Sequence, residues 1–370
     1  MKGLSYLALI VLATMGGHAF AMQEEGLIPL TDTELSAETG QALFNMSYIA
    51  PSTSGNPQND IGFYKVSMEA QLDLNANIRK FQLGCGGFKG VGCDIDIDNV
   101  SFTGIVPTRE KAGGTDAGPV SDFTLINPFY DIAIKNPTNM ATREVVGFRI
   151  GADSVWGMLS LGDLGSDPDS VSSHTGINSI TGHLPTYIDN GNIPVELCIW
   201  GANATNTACT AGNGIDLGNA TIKRNTPNQG DNFFDLTLNR ASRAYLGGIR
   251  VRTQLLGFDV DLTSNLDQSL KFIHNITAGS DPNNNGKYDP GESVKNFGIS
   301  FQGQDVQWNT NGQWLNAQKG WWMELPEGKI GDFTTRTVYA GLNALTGLTL
   351  SDLNQNQYPV DNCYGNLTFC

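Results

Sequence analysis

The sequence predicts an all-β protein, organised as an elongated, mostly antiparallel sheet or sandwich, with a β-solenoid-like arrangement as the alternative. Apolar and polar residues alternate from Tyr64 to Ile78, which is the period of an extended strand with two different faces. The chain also holds 44 glycines among its 370 residues, as expected where many short turns join strands. No useful stretch of this region follows the 3.6-residue period of a helix.

Further strands are predicted where short alternating or β-branched runs recur between polar loops. These runs are Asp94–Asp98, Tyr130–Ile134, Phe148–Ile150, Val195–Ile199, Phe233–Leu238, Gly248–Leu262, Leu270–Ile273 and Phe297–Phe301. Asp94, Asp96 and Asp98 are expected to face solvent. We therefore assign residues 61–275 to a main β domain and residues 276–370 to a C-terminal β region.

The N-terminus predicts export. Lys2 precedes an apolar stretch, Leu4–Met15, which is too short to span a bilayer, and Ala19-Phe20-Ala21 is a small-x-small cleavage site. We expect residues 1–21 to be removed as a signal peptide, so that the mature chain begins at Met22. A periplasmic or cell-surface location follows.

Residues 22–60 are predicted to form an N-terminal arm with one short helix. Thr31 and Glu34 have the spacing of a capping box, and Gly40 is a natural helix end. The helix is expected over about residues 32–39. Residues 52–60, STSGNPQND, read as a turn-rich linker.

The charge of the chain excludes some partners. Loss of Lys2 leaves 21 basic and 37 acidic residues, a net charge of −16 in the mature chain. Such a surface argues against binding nucleic acid or anionic lipid. No later stretch approaches eighteen uninterrupted apolar residues, so no transmembrane helix is predicted.

Six cysteines fall as three close neighbours in sequence, and each pair brackets a glycine- or asparagine-rich loop. Because an exported chain meets an oxidising environment, we predict three local disulfides, each worth roughly 2.5 kcal/mol in the chain-entropy model. The pairs are Cys85–Cys93, Cys198–Cys209 and Cys363–Cys370.

Residues 281–292, DPNNNGKYDPGE, have the spacing of a twelve-residue calcium loop. Side-chain oxygens stand at positions 1, 3, 5, 9 and 12, a backbone carbonyl is available at position 7, and Gly286 occupies position 6, where the chain turns sharply. The predicted Ca²⁺ ligands are Asp281, Asn283, Asn285, Lys287, Asp289 and Glu292.

The flanks of this loop differ from those of an EF-hand. Leu270–Ile273 before it and Phe297–Phe301 after it have strand patterns, where an EF-hand has helices. We therefore expect an EF-hand-like loop between strands that braces the fold, with the ion fixing one flanking strand against the other. A polar surface turn is the alternative.

The segment Trp308–Leu325 is rich in tryptophan, and Trp314, Trp321 and Trp322 are predicted as a possible surface for a carbohydrate or protein partner. Core packing is the competing interpretation. The sequence has no nucleophile elbow, zincin motif or phosphate-binding loop, so we predict a protein that is not an enzyme. A pair of hydrolytic carboxylates remains open.

Three stretches carry a family resemblance: MQEEGLIPLTDTELSAETGQALFNMSYIAPS from Met22, LDLNANIRKFQLGCGG from Leu72 and CDIDIDNVSFTG from Cys93. Together with the signal peptide, they resemble the FilA-type pilus-assembly proteins of Gram-negative bacteria. The resemblance implies a role in the biogenesis or structure of a surface filament, with other pilus proteins or further copies as partners. It brings no catalytic residue.

The sequence thus predicts an exported structural or assembly protein of a pilus or fimbrial system, braced by Ca²⁺ and disulfides. Two alternatives remain open. One is a carbohydrate-binding or adhesive surface module that uses the tryptophan segment. The other is a secreted polysaccharide hydrolase.

Overall fold

The computed structural model describes residues 44–53, 55–105, 121–167, 171–188, 193–198, 214–224, 233–255, 258–310, 312–330, 338–341 and 359–360. The predicted signal peptide, the predicted helix over residues 32–39, and Cys209, Cys363 and Cys370 lie outside these ranges, so the second and third predicted disulfides stay predictions.

The described chain consists of strands, with single-turn 3-10 helices at Val171–Ser173 and Leu270–Phe272. The strands are β1 (Phe44–Ile49), β2 (Ile61–Met68), β3 (Gln71–Leu74), β4 (Ala76–Leu83), β5 (Ile95–Thr103), β6 (Phe123–Lys135), β7 (Glu144–Leu161), β8 (Ile177–Ile188), β9 (Ile193–Cys198), β10 (Gly214–Arg224), β11 (Phe233–Ala241), β12 (Arg243–Leu255), β13 (Phe258–Ser269), β14 (Asn275–Ala278), β15 (Val294–Gln302), β16 (Val306–Thr310), β17 (Gln313–Ala317), β18 (Gly320–Glu324), β19 (Gly328–Ile330) and β20 (Val338–Gly341). The all-β class is confirmed.

Thirteen of these strands belong to one mixed sheet, which contains β1 to β8, β11, β14, β15, β18 and β19. A second sheet has the order β13-β12-β10-β9-β20, and β16 and β17 form a separate hairpin. Most neighbours are antiparallel, and the parallel pairs among the described strands are β8 with β18, β8 with β19, and β9 with β20. This pairing gives no support to a solenoid.

The long strand β7 organises the large sheet. Its first part pairs with β6 on one side and β15 on the other, and its last part pairs with β5 and β14. Gly104 N donates to Ser121 O at 2.8 Å, and Ser280 N donates to Glu292 O at 3.1 Å. These bonds close the base of the segment between β5 and β6 and of the segment between β14 and β15. Each pair of strands therefore lies end to end along β7.

Gly157 marks the point on β7 where the neighbours change. Its φ is +135°, and a Cβ there would lie 2.6 Å from Thr103 O and 2.7 Å from Phe123 Cδ2. A side chain would therefore meet both strain and a backbone oxygen, so this position requires glycine.

The alternating run from Tyr64 to Ile78 is divided among β2, β3 and β4, so it does not form one unbroken strand. Asn127 of β6 has a φ of +50°, and its N–H donates to Ala70 O at 2.8 Å. This irregularity in β6 faces the break between β2 and β3. Both strands pair with β6, whereas β4 turns away to pair with β5.

Two predicted boundaries do not coincide with the fold. Strand β1 lies within the predicted arm of residues 22–60, yet it pairs along its whole length with β2, and the compact unit begins at Phe44. Strands β15, β18 and β19 of the predicted C-terminal region share the large sheet with β7 and β8, so this sheet includes strands from both predicted regions.

The strand predicted before the calcium loop is also corrected. Residues Leu270–Phe272 form a 3-10 helix, because the Ser269 side chain accepts from Lys271 N at 3.3 Å and caps that turn. The strand that enters the loop is β14. It pairs with β7 and β19, and β15 pairs with β7 and β18, so the two flanking strands do not pair with each other.

Two hydrophobic cores hold the sheet. The larger surrounds the second part of β7 and includes Phe123, Leu159 and Ile276. The smaller lies beneath the β16–β17 hairpin, where Trp308, Phe63 and Trp322 pack together. Gln58 fastens the hairpin, because its Nε2 donates to Gln307 O at 2.8 Å and its Oε1 accepts from Gln307 N at 3.0 Å.

The Cys85–Cys93 disulfide is present, with its sulfurs 2.01 Å apart. The loop it closes is held by Arg240, which donates to Asp94 Oδ1 at 2.9 Å and to Val91 O at 3.0 Å. Asp94 is therefore buried and paired, contrary to the predicted outward position. Asp96 and Asp98 are half-buried and bind Lys80 and Asn178.

Candidate functional site

The predicted calcium loop stands where β14 ends and β15 begins, directly over Trp156 of β7. The Trp156 indole is buried, and its Nε1 donates to Ser280 O at 2.8 Å at the base of the loop. The Tyr288 ring lies 6.4 Å from the Trp156 ring. The loop is thus seated on the sheet by its base.

Backbone amides and side chains order the interior of the loop. Asp281 accepts from Asn285 N at 3.1 Å and from Gly286 N at 2.8 Å. Gly286 is buried with a φ of +66°, which is the left-handed turn that position 6 of a calcium loop requires. Glu292 accepts from Asp289 N at 3.0 Å.

Three of the predicted ligands converge. The Asn285 and Asn283 amide nitrogens lie 2.9 Å and 3.4 Å from Asp289 Oδ2. The Asn285 amide is held in this orientation, because its Oδ1 accepts from Lys287 N at 2.8 Å. Positions 3, 5 and 9 therefore lie close together, and Asn285 would have to release Lys287 N before its oxygen could face a Ca²⁺ ion.

The carboxylates at positions 1 and 12 are engaged with loop amides and do not join this convergence. In the described ranges, no group of three or more His, Cys, Asp or Glu side chains is arranged to hold a metal ion. The donor set fits Ca²⁺ by residue type, and binding would require Asp281 and Glu292 to turn inward.

The three predicted partner tryptophans do not form one surface. Trp322 is buried in the smaller core, and the half-buried Trp314 packs on Phe63 at a ring distance of 5.3 Å. Trp321 lies on the opposite side of the sheet from Trp322, half-buried, with its ring 5.2 Å from Phe301. Core packing accounts for Trp322, whereas Trp321 packs partly against the larger core and also borders an exposed surface.

That surface is an apolar face of the large sheet, which we call the aromatic face. It comprises two rows that cross β1, β2, β6, β7, β15 and β18 in continuous register. The first row is Tyr48, Tyr64, Ile132, Phe148, Phe301 and Trp321, and the second is Met46, Val66, Tyr130, Ile150, Ile299 and Met323.

The aromatic face is open to solvent across β1, β2, β6 and β7 and at Phe301, whereas Met323 is buried in the larger core, against which Ile299 and Trp321 also pack. Met46 is 76% exposed, and Tyr48, Phe148, Phe301 and Ile150 are 44–50% exposed. Large apolar patches on a soluble protein commonly mark an interaction site. The β16–β17 hairpin packs on the reverse face of the sheet, so one face is covered by another element and the other is exposed.

Strand β1 forms the margin of the aromatic face. Within the described residues it pairs with β2 and with no other strand, and its sequence FNMSYI contains neither charge nor proline. Its first five residues are exposed. Natural edge strands are usually protected by charged residues, proline or bulges, because open N–H and C=O groups invite further pairing. Strand β1 has none of these protections.

A buried ion cluster lies under the hairpin. The Arg149 guanidinium donates to Asp131 at 2.6 Å, to Thr310 Oγ1 at 2.7 Å and to Asn309 O at 2.6 Å, and it lies 3.7 Å from Glu324. Burial raises the pKa of Asp131 and of Glu324, and the Arg149 charge opposes that rise. The cluster ties the hairpin to the sheet.

His174 and His274 form a second buried polar pair. His274 Nδ1 donates to Leu161 O at 2.8 Å, and its Nε2 lies 3.0 Å from His174 Nδ1. Burial lowers the pKa of His274 to about 4. Sequence reasoning missed this pair because its members stand 100 residues apart and no local pattern connects them.

A scan of protein-family models, a search of curated proteins and a search of solved structures each found no match for this chain. No helix in the described ranges is long and apolar enough to cross a membrane. The function is therefore argued from the residues of the chain itself.

Proposed function

We propose that this protein is an exported structural or assembly component of a surface filament, and that copies join by strand addition at β1. The observation that carries the proposal is the unprotected edge of β1, an uncharged strand whose first five residues are exposed. Strand addition uses such an edge, because the incoming segment satisfies the open backbone groups and places alternate side chains against the sheet.

The occupant of this edge is the segment of residues 22–43 from a second copy. That segment is 22 residues long, leads directly into β1, and spans up to about 70 Å when extended. It carries two apolar stretches, Leu27-Ile28-Pro29-Leu30 and Ala42-Leu43. Residues 22–43 of one copy, which lead into its own β1, would pair with β1 of a second copy. Repetition of this contact links the copies head to tail.

Such head-to-tail contacts generate filaments when the rotation between copies does not close a ring. The resemblance of the Met22–Ser52 sequence to FilA-type pilus-assembly proteins supports the same role, as does the predicted signal peptide. A surface filament also benefits from covalent staples, and the Cys85–Cys93 disulfide supplies one within this subunit.

We also propose that the loop of residues 281–292 binds Ca²⁺ and locks its own base on β7. Three carboxylates contribute charge, so we expect a dissociation constant of about 10⁻⁴ to 10⁻³ M, as in extracellular modules. Because β14 and β15 are both already bonded to β7, the ion would order the loop and would not join two otherwise separate strands.

Strand addition is tested with the full mature chain and two single variants, Met46→Pro and Ser47→Pro. Successive N–H groups of a strand point to opposite sides, so one variant removes a donor at the open edge and the other removes a donor to β2. The edge variant is identified as the one whose melting temperature is unchanged.

Light scattering and negative-stain electron microscopy should show that wild type forms linear assemblies and that the edge variant stays monomeric. Ile28→Lys in the arm should give the same loss, because a charge then enters an apolar contact. Assembly of the edge variant at the wild-type level would refute strand addition. A monomeric wild type would show that the arm docks on its own copy or not at all.

Calcium binding is tested by thermal unfolding of wild type and Glu292→Gln, with Glu144→Gln as the control at an exposed carboxylate. At a Ca²⁺ concentration 100 times the dissociation constant, linkage stabilises wild type by about 2.7 kcal/mol. The control should respond like wild type, and Glu292→Gln should not respond. If Ca²⁺ up to several millimolar does not raise the melting temperature of wild type, the loop is only a polar turn and the proposal fails.

A further inference from the structure

The dimensions of the aromatic face limit what it can bind. Six neighbouring strands spaced about 4.8 Å apart give the first row a length of about 24 Å, two rows two residues apart give a width of roughly 14 Å, and the second row ends at the buried Met323. The area is therefore roughly 350 Å², well below the ~800 Å² that each partner buries in a stable protein interface. The shape suits an extended, chain-like ligand.

The chemistry of the aromatic face further restricts the class of ligand that it can bind. Neither row contains a charged residue, although the whole chain has a net charge of −15. Anionic polymers and anionic membranes are repelled by that net charge and find no Lys or Arg in the rows. A sheet face lacks the concavity that buries a small apolar molecule. A neutral polymer is the class that remains.

The aromatic rings are grouped in pairs at a regular interval. Tyr48 stacks on Tyr64 with ring centroids 4.4 Å apart, Tyr130 stacks near Phe148 at 6.4 Å, and Phe301 lies 5.2 Å from Trp321. The three pairs occupy β1 with β2, β6 with β7, and β15 with β18. One pair therefore follows another every two strands, about 10 Å.

We propose that the aromatic face binds a neutral β-(1→4)-linked polysaccharide, such as cellulose or chitin. Such a chain is extended and presents apolar C–H faces, and it repeats every two sugar rings at nearly the interval of the aromatic pairs. Ile132, Ile150 and Ile299 form the apolar floor between the pairs. The exposed Tyr130 side chain, and the Tyr48 and Tyr64 side chains that hydrogen-bond to each other, offer hydroxyl groups to the polymer.

This binding surface is separate from the edge used in strand addition. Strand addition requires the backbone of β1, whereas the polysaccharide would contact side chains across six strands. A filament subunit with this face would carry a polymer-binding strip on every copy. Loss of one activity therefore does not entail loss of the other.

The test uses the mature full-length chain and its Phe148→Ala/Phe301→Ala variant, with Met140→Ala as the matched control. Met140 is 88% exposed and lies outside both rows. Binding is measured by depletion from solution onto microcrystalline cellulose and onto chitin, with soluble cellohexaose as competitor. Melting temperatures verify that each variant is folded.

We expect wild type and Met140→Ala to bind at least one of the two polymers and the double variant to bind it at least tenfold more weakly. Absence of wild-type binding to both polymers would overturn the proposal, and so would a double variant that binds like wild type. Sedimentation equilibrium supplies a third criterion. Dimerisation of wild type that the double variant loses would identify the face as a protein interface and refute the assignment.

Discussion

Acidification should destabilise the protein through the buried pair His174 and His274. His274 is 1% exposed and its pKa is lowered to about 4, from an ordinary value of 6.5, first by burial and then by the facing His174. Its hydrogen bond to Leu161 O and the charge of Asp163 oppose the shift. The folded state therefore holds this imidazole neutral where the unfolded state protonates it.

The sign and size follow from proton linkage. Above pH 6.5 the ring is neutral in both states, so its contribution does not change with pH. As the pH falls from 6.5 to 4, the unfolded state gains a proton that the folded state does not bind. A difference of about 2.5 pKa units corresponds to a loss of roughly 3 kcal/mol over that interval.

Urea unfolding at several pH values tests this reasoning, with His274→Gln as the comparison. Glutamine does not titrate and retains a donor for Leu161 O. The variant should be less stable at pH 7, yet its stability should fall less than that of wild type between pH 6.5 and 4. Asp131 and Glu324 have raised pKa values and stabilise the fold as the pH falls, but they do so in both proteins. Parallel curves for the two proteins would refute the argument.

Three further outcomes are expected. Arg149→Met should lower the free energy of unfolding by about 3 kcal/mol, because two buried carboxylates lose their counter-charge, whereas Met at the exposed Arg143 should change it by less than about 0.5 kcal/mol in the same urea titration. Replacing Cys85 and Cys93 together by alanine should lower it by about 2.5 kcal/mol, and equal stability of the oxidised wild type and this variant would contradict the prediction. Mass spectrometry of the exported protein should find Met22 as the first residue, and a retained leader would exclude cleavage there.

The parts of the fold that sequence predicted are local. The β class follows from a two-residue period, and the Cys85–Cys93 bridge closes a loop whose ends stand eight residues apart. The break between β2 and β3 escaped prediction, because it faces Asn127 in a distant strand, and the break before β4 escaped because β4 pairs with β5 instead of β6. The alternation of residues within one strand does not reveal an irregularity in the strand that pairs with it.

The exposed position of the aromatic face escaped prediction for a different reason. Tyr64, Val66 and Met68 alternate with polar residues, so the sequence favours them as the inward face. In the fold, Ile61 and Phe63 point to the smaller core, and Tyr64 is exposed. A period of two separates the faces of a strand but does not say which face another element covers. The β16–β17 hairpin, which lies some 240 residues further along the chain, determines which face is covered.

The burial pattern of β7 shows where the molecule keeps a surface free. From Val155 to Leu161 every residue is buried, as in a strand covered on both faces. Between Gly147 and Ile150 burial alternates, with Arg149 under the hairpin and Phe148 and Ile150 exposed. One strand therefore passes from a fully enclosed core into a half-covered sheet. The enclosed part of β7 packs in the larger core, and the half-covered part contributes Phe148 and Ile150 to the aromatic face. This open apolar face, which contains no charged residue in either row, is the observation from which we propose a neutral partner.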